Sequence, residues 1–118
     1  ILTKKLKGNN MITLLQNNGA YSPEAKAARR AVSFGDFQNW ENDYLNFYSR
    51  VATIATDDLE DAFHIHNSNR AFGLDDDRIE TLKVHHSMSV GDIVRDAFGN
   101  HYMVCGEGFE QLLLGCWN

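Results

Sequence analysis

Ser87–Leu113 reads SMSVGDIVRDAFGNHYMVCGEGFEQLL, and this stretch decides the fold. Apolar residues recur there mostly at every second position, and Gly91, Gly99, Gly106 and Gly108 punctuate them. That is the pattern of short strands joined by tight turns. Asp92–Asp96 is expected as one strand and His101–Cys105 as its return. Ala97-Phe98-Gly99-Asn100 forms the loop between them, with Gly99-Asn100 able to take positive φ. Gly106-Glu107-Gly108 is expected as a bend or bulge, and Phe109–Leu114 as a last strand.

Upstream of the meander the periodicity changes. Met11–Gln16 (MITLLQ) reads as a first strand, with Asn17-Asn18-Gly19 as its turn. Ser22-Pro23-Glu24 is a helix start: Ser at the N-cap, Pro at the first helical position, an acid in the first turn. Asp36 is expected to cap a second helix, roughly Phe37–Arg50, whose Phe37, Trp40, Tyr44, Phe47 and Tyr48 would form one aromatic stripe. Arg50–Thr56 alternates and reads as a strand. Asp57 and Glu60 have capping-box spacing at the head of a third helix, which Asn67-Ser68-Asn69 would stop. Arg70–Asp77 is loop-like, and a short strand is expected near Leu82–His86. The expectation is an α+β domain: a small, mainly antiparallel sheet of four or five strands with a C-terminal meander, and about three helices packed on one face.

A chain of 118 residues with a 43% hydrophobic fraction supports one domain with a real core. Ile1–Asn10 carries Lys4, Lys5 and Lys7 and no acid; it is expected to be a disordered leader or appended segment, with residues 11–118 as the domain. Without those ten residues the body holds 8 basic and 16 acidic residues, a net charge of −8. Such a body argues against phosphate neutralisation as a binding mode, so no direct nucleic-acid partner is expected. No apolar run approaches the ~20 residues that cross a bilayer, so no membrane partner is expected and a cytoplasmic setting is the default. Cys105 and Cys116 are too few for a disulfide scaffold, and free thiols are expected.

Several groupings invite chemistry. His64, His85 and His101 could form a composite metal site, but neither a Cys pair nor a His-x₃-His helical pair is present. A metal-binding or thiol-dependent enzyme using these with His86 and Cys105 is therefore an alternative; the leading expectation has no cofactor and no catalysis. His101 and Cys105 are four apart on one strand, which puts them on one face as a dyad candidate. Asp75-Asp76-Asp77 lacks the spaced oxygens of a calcium loop and reads as a solvated face. With Asp57, Asp58 and Asp61 it would make an acidic surface for a basic partner. Ser87, Ser89 and Asp92 are candidates for a recognition loop, although each also has a scaffold role: serines bonding nearby backbone, Asp92 accepting turn amides.

The residues Ser87, Ser89, Val90, Gly91, Asp92, Gly108, Phe109, Glu110 and Leu112 form an SxSVGD…GFExL signature. It resembles the C-terminal signature of small YodL-like proteins of phages, plasmids and conjugative elements, with His86 where those usually carry Arg. Val51-Ala52-Thr53 and Thr56–Asn67 look like the same group's helix region, so the resemblance reaches about half the chain. It implies a mobile-element accessory protein with no assigned activity. The resulting expectation is a non-catalytic binder of a host macromolecule, for example a nucleic-acid-binding host protein, acting as a counter-defence inhibitor or DNA mimic in the host cytoplasm. A virion or structural subunit, packing through the aromatic stripe, is a further alternative.

Overall fold

The computed structural model describes residues 11–17, 22–33, 37–72 and 77–114. The expected leader Ile1–Asn10, the turn at Asn18-Gly19, the Asp36 cap, Asp75, Asp76 and Cys116 lie outside the described residues. Among the described residues six strands form one antiparallel sheet: β1 Met11–Gln16, β2 Ser49–Ala55, β3 Ile79–Thr81, β4 Ile93–Arg95, β5 His101–Cys105 and β6 Gly108–Leu112. Their spatial order is β3-β2-β1-β4-β5-β6. The α+β class holds, with more strands than the four or five expected.

β1 is the spine, paired with β2 on one side and β4 on the other. Every residue of β1 after Met11 is buried. A strand covered on both faces reads as a continuous apolar run, as MITLL does. Helix α1 (Pro23–Ala31) and helix α2 (Leu59–Phe72) account for the two covers. Ala62 and Ile65 of α2 pack with Ile12, Leu14, Ile54, Val94 and Val104. Val32, at the end of α1, packs on the opposite face with Leu15, Ile93, Met103 and Leu112. The helices therefore sandwich the sheet, which corrects the expectation of one covered face.

The β1–β2 register slips between Leu14 and Leu15: Leu14 faces Ala52 but Leu15 faces Arg50. Val51 is the extra residue, so Val51 and Ala52 both reach the same core. The bulge also presents the Val51 carbonyl to Leu82 N and Lys83 N, at 2.9 and 3.2 Å. That anchors the chain as it leaves β3, which sits at Ile79–Thr81, ahead of the stretch expected to be extended.

The expected aromatic helix does not form. Two 3-10 helices, Phe37–Asn39 and Asn42–Phe47, replace it, and Glu41 between them is extended. Asn39, Asn42, Asp43 and Asn46 favour side-chain bonds to local groups over a helix interior. Asn42 shows this by accepting a hydrogen bond from the Trp40 indole at 2.8 Å. Trp40 meets Tyr44 and Tyr48 edge-on, and Trp40 and Tyr48 pack against the core.

α2 starts as expected but with a different cap. Asp58, one residue after Asp57, accepts from Asp61 N at 3.1 Å, and Thr56 Oγ1 donates to the Asp61 carboxylate at 3.0 Å. The helix runs through Asn67 and Ser68, so those residues do not stop it. Gly106-Glu107 is a two-residue hairpin turn with Cys105 opposite Gly108, and no bulge interrupts the β5–β6 register.

Candidate functional site

The polar residues of the Ser87–Asp92 segment converge on one cleft of about 510 Å³. One wall is α1, with Arg29 and Val32; another is Tyr48; the floor is the loop from His86 to Asp92. Asp92 lies only 6% exposed at its base. Its Oδ2 accepts from Gln16 Nε2 and from Ser89 N, both at 2.9 Å. Burial raises its pKa to about 6, against the hydrogen bonds from Ser89 and Gln16 and the nearby His86 and Arg29 charges, which pull it down. Near neutral pH this carboxyl can take up and release a proton, as a general acid or base does.

Gly91 sets the approach of the loop to α1. Its φ is +94°, and a Cβ there would lie 2.8 Å from the Val32 carbonyl oxygen. The Gly91 carbonyl accepts from the Tyr48 hydroxyl at 2.7 Å. Burial, and then the Asp92 charge, push the Tyr48 pKa up, so the phenol stays a proton donor. Ser89 Oγ donates to the Ser87 carbonyl at 2.9 Å, the local bracing expected of it. Ser87 and Ser89 are exposed at the rim, while Asp92 is withdrawn beneath them.

Two amides, neither marked by the sequence as functional, fasten the segment from opposite sides. Gln16, buried at the end of β1, donates to the His86 carbonyl at 2.9 Å as well as to Asp92. Asn67, on α2, donates to the Met88 carbonyl at 2.9 Å and accepts from Met88 N at 2.8 Å. The available signal for Gln16 was a polar residue closing an otherwise apolar strand. Asn67 had the opposite signal, since Asn-Ser-Asn reads as a helix stop.

The composite histidine site weighed as an alternative is not assembled. His64 is exposed on α2 against the Phe63 ring. His85 lies in the segment after β3, and its Nε2 is 2.9 Å from Nε2 of His66, which is buried on α2. His101 begins β5 opposite Arg95 and Leu112, with its pKa lowered by burial. Among the described residues no group of three His, Cys, Asp or Glu side chains is arranged to hold a metal ion. The His101–Cys105 dyad is not made either: the Cys105 thiol donates to the Met103 carbonyl at 3.6 Å. Burial and the Glu110 charge raise the thiol's pKa, the reverse of what an attacking thiolate needs.

The acidic residues divide differently. Asp57, Asp58, Glu60 and Asp61 are exposed at the start of α2. Asp77 is exposed just before β3, and the adjacent Arg78 carbonyl accepts from Ala55 N at 2.7 Å. The β2–β3 pairing thus brings Asp77 to the end of the sheet from which Asp57 and Asp58 emerge. Asp58 and Asp61 also serve the helix start, whereas Asp57, Glu60 and Asp77 carry no such duty in the bonds described above.

Comparison of the chain with protein-family models, with curated proteins and with solved structures finds no match. Among the described residues no helix is long and apolar enough to cross a membrane.

Proposed function

We propose that this protein is a non-catalytic binding protein that engages a basic surface on a macromolecule through the acidic end of its sheet. The observation that carries the reading is the grouping of exposed Asp57, Asp58, Asp61 and Asp77 at one end of the sheet, in a chain of net charge −5 whose residues 11–118 carry −8. A patch of one sign steers a partner of the other sign and makes the encounter salt-sensitive. The resemblance to YodL-like proteins supplies the context: an accessory protein of a phage or mobile element, acting in the host cytoplasm on a host protein that itself handles nucleic acid. Counter-defence by DNA mimicry is the version that best suits such a surface.

Affinity capture from host lysate with wild-type protein and an Asp57→Lys/Glu60→Lys/Asp77→Lys variant tests this. The variant spares Asp58 and Asp61, so the helix cap survives. Partners that are lost from the variant, and lost from wild type on raising salt from 50 to about 300 mM, support the reading. Equal recovery by both proteins sinks it.

The Asp92 cleft favours a second reading, a small-molecule site in which the buried carboxyl receives a hydrogen-bond donor of the ligand. Fragment titration followed by backbone amide shifts separates the two: binders that perturb Ser89 and Gly91, and fail to do so in Asp92→Asn, favour the cleft.

A further inference from the structure

His66 and His85 meet with their Nε2 atoms 2.9 Å apart. Their outer nitrogens are both fixed by acceptors. His85 Nδ1 lies 2.7 Å from the Lys83 carbonyl oxygen, which can only accept. His66 Nδ1 lies 2.8 Å from Asn67 Oδ1. The orientation of that amide is not arbitrary, because Met88 N must donate to Asn67 Oδ1 and the Met88 carbonyl must receive Asn67 Nδ2. Both rings therefore carry a proton on Nδ1. Two neutral rings in that tautomer would point two lone pairs at each other across the hydrogen-bond distance. An electrophile has to lie between them.

A metal ion and a proton make different demands there. Two imidazoles on one tetrahedral zinc ion hold their nitrogens about 3.3 Å apart, with the rings converging at an angle. The separation here is shorter, and the ring centroids are 5.1 Å apart, close to the nitrogen separation plus the two ring radii. The nitrogens meet head-on, as a hydrogen bond requires.

We infer that His66 and His85 form an imidazole–imidazolium pair, in which three protons on four ring nitrogens carry one positive charge and latch the segment after β3 onto α2. The latch is bounded on both sides. Adding a second proton on the acid side puts two cations face to face; removing the shared one on the alkaline side leaves the two lone pairs. Either change breaks the central bond, and the two steps belong to the pair rather than to one ring. The bonds of Gln16 and Asn67 to the segment's backbone carbonyls do not titrate, so the pair is the pH-dependent contact between the segment and α2, and Asp92 is a separate titrating group at the segment's far end.

Among the described residues, the charged and titratable groups around the pair belong to several elements, and both histidines have interactions beyond these. On the segment itself, Lys83 and His86 flank His85, both exposed. On α2, exposed His64 lies two residues before His66. The sheet presents Gln16 of β1 and Ser49 and Val51 of β2 to the cavity beside His85, and no acid lines that cavity among the described residues. Asp92 titrates farther along the segment and is tied to it through Gln16.

Ring-nitrogen NMR of the full ¹⁵N-labelled chain across a pH series is the test, in EDTA, with exchange of the Met88 amide read alongside. Wild type is expected to show protonated Nδ1 on both rings and one proton shared between the Nε2 atoms at neutral pH. Met88 protection, taken relative to the intrinsic amide exchange rate at each pH, is expected to be greatest there and at least about tenfold lower on each side of that window. His85→Gln, at a half-buried site, flattens the profile; His64→Gln leaves it bell-shaped. Two neutral rings with one turned to the Nε2–H tautomer overturn the inference. So does a Met88 profile unchanged in His85→Gln, and so do ring signals that move when zinc is added in place of EDTA. Should His85→Gln not fold, the wild-type ring assignments decide the matter alone.

Discussion

Asp92 and Asp96 bracket β4, four residues apart, and their carboxyls are shifted in opposite directions. Asp92 is buried under the cleft and two donors reach a single oxygen, so burial prevails and its pKa rises to about 6. At Asp96 burial also pushes upward, but four hydrogen bonds oppose it. Its Oδ1 accepts from Phe98 N and Asn100 N, and its Oδ2 from Asn100 Nδ2 and the Tyr102 hydroxyl. The net shift is downward. One aspartate organises an exposed hairpin and gains from being ionised; the other is itself buried beneath the loop it organises, where its charge is costly. A buried carboxyl whose charge is costly to folding is a candidate for function, which is why the Asp92 cleft stands as the second reading.

The signs of linkage follow. Asp92 binds its proton more tightly in the folded state, so its contribution is fully present below its unfolded value and declines as pH rises from about 4 to about 6. Asp96 does the reverse: its contribution is present above the ordinary carboxylate range and disappears as pH falls through its lowered pKa.

The contrast can be broken most severely at the glycines of the two loops. Gly91→Ala forces a side chain at φ +94° into the Val32 carbonyl and is expected to destabilise by about 4 kcal/mol in urea unfolding. Asp92→Asn keeps an acceptor for Gln16 and Ser89 while removing the charge. Raising a carboxyl from 3.8 to about 6 corresponds to about 3 kcal/mol, which is the most this variant can gain at pH 7. Its stability should no longer decline between pH 4 and 6, and a slope like wild type's would show that Asp92 is not the group responsible. Gln16→Ala strips a donor from Asp92 and from the His86 carbonyl; a loss of about 2 kcal/mol is expected, with the pH decline extended to higher pH. Asp96→Ala undoes the hairpin's bonds in the presence of water and should lose about 1.5 kcal/mol at pH 7, and less in acid. Gly99→Ala meets no atom within 4 Å and should lose only about 1 kcal/mol, from its φ of +88°.

Much of the fold was legible because local chemistry and the final structure agree. β1 has the expected bounds, Ser22 caps α1 by accepting from Ala25 N, and the closing meander follows the alternation of Asp92–Leu112. Misreadings arose where tertiary partners overrule local preference. Asn67 stops helices in isolation, yet here the Met88 backbone rewards its staying helical. Phe37–Tyr48 has helical spacing, but its asparagines and the needs of Trp40 break the helix in two. The second covered face was written in MITLLQ, which does not alternate. At the site, the scaffold role of Ser89, Gly91 and Asp92 could be read from turn chemistry. Gln16, Tyr48 and His66 could not, because each reaches its partner across 19 to 76 residues of chain.

The central place of β1 has a consequence for synthesis. Leu14 leaves the ribosome 80 residues ahead of Val94, its neighbour in the sheet. Until then β1 and β2 can pair, but the far side of β1 remains an open apolar edge. A nascent chain stalled before β4 thus presents a ready template for another strand, and that interval is when the protein is most exposed to aggregation and to chaperone capture.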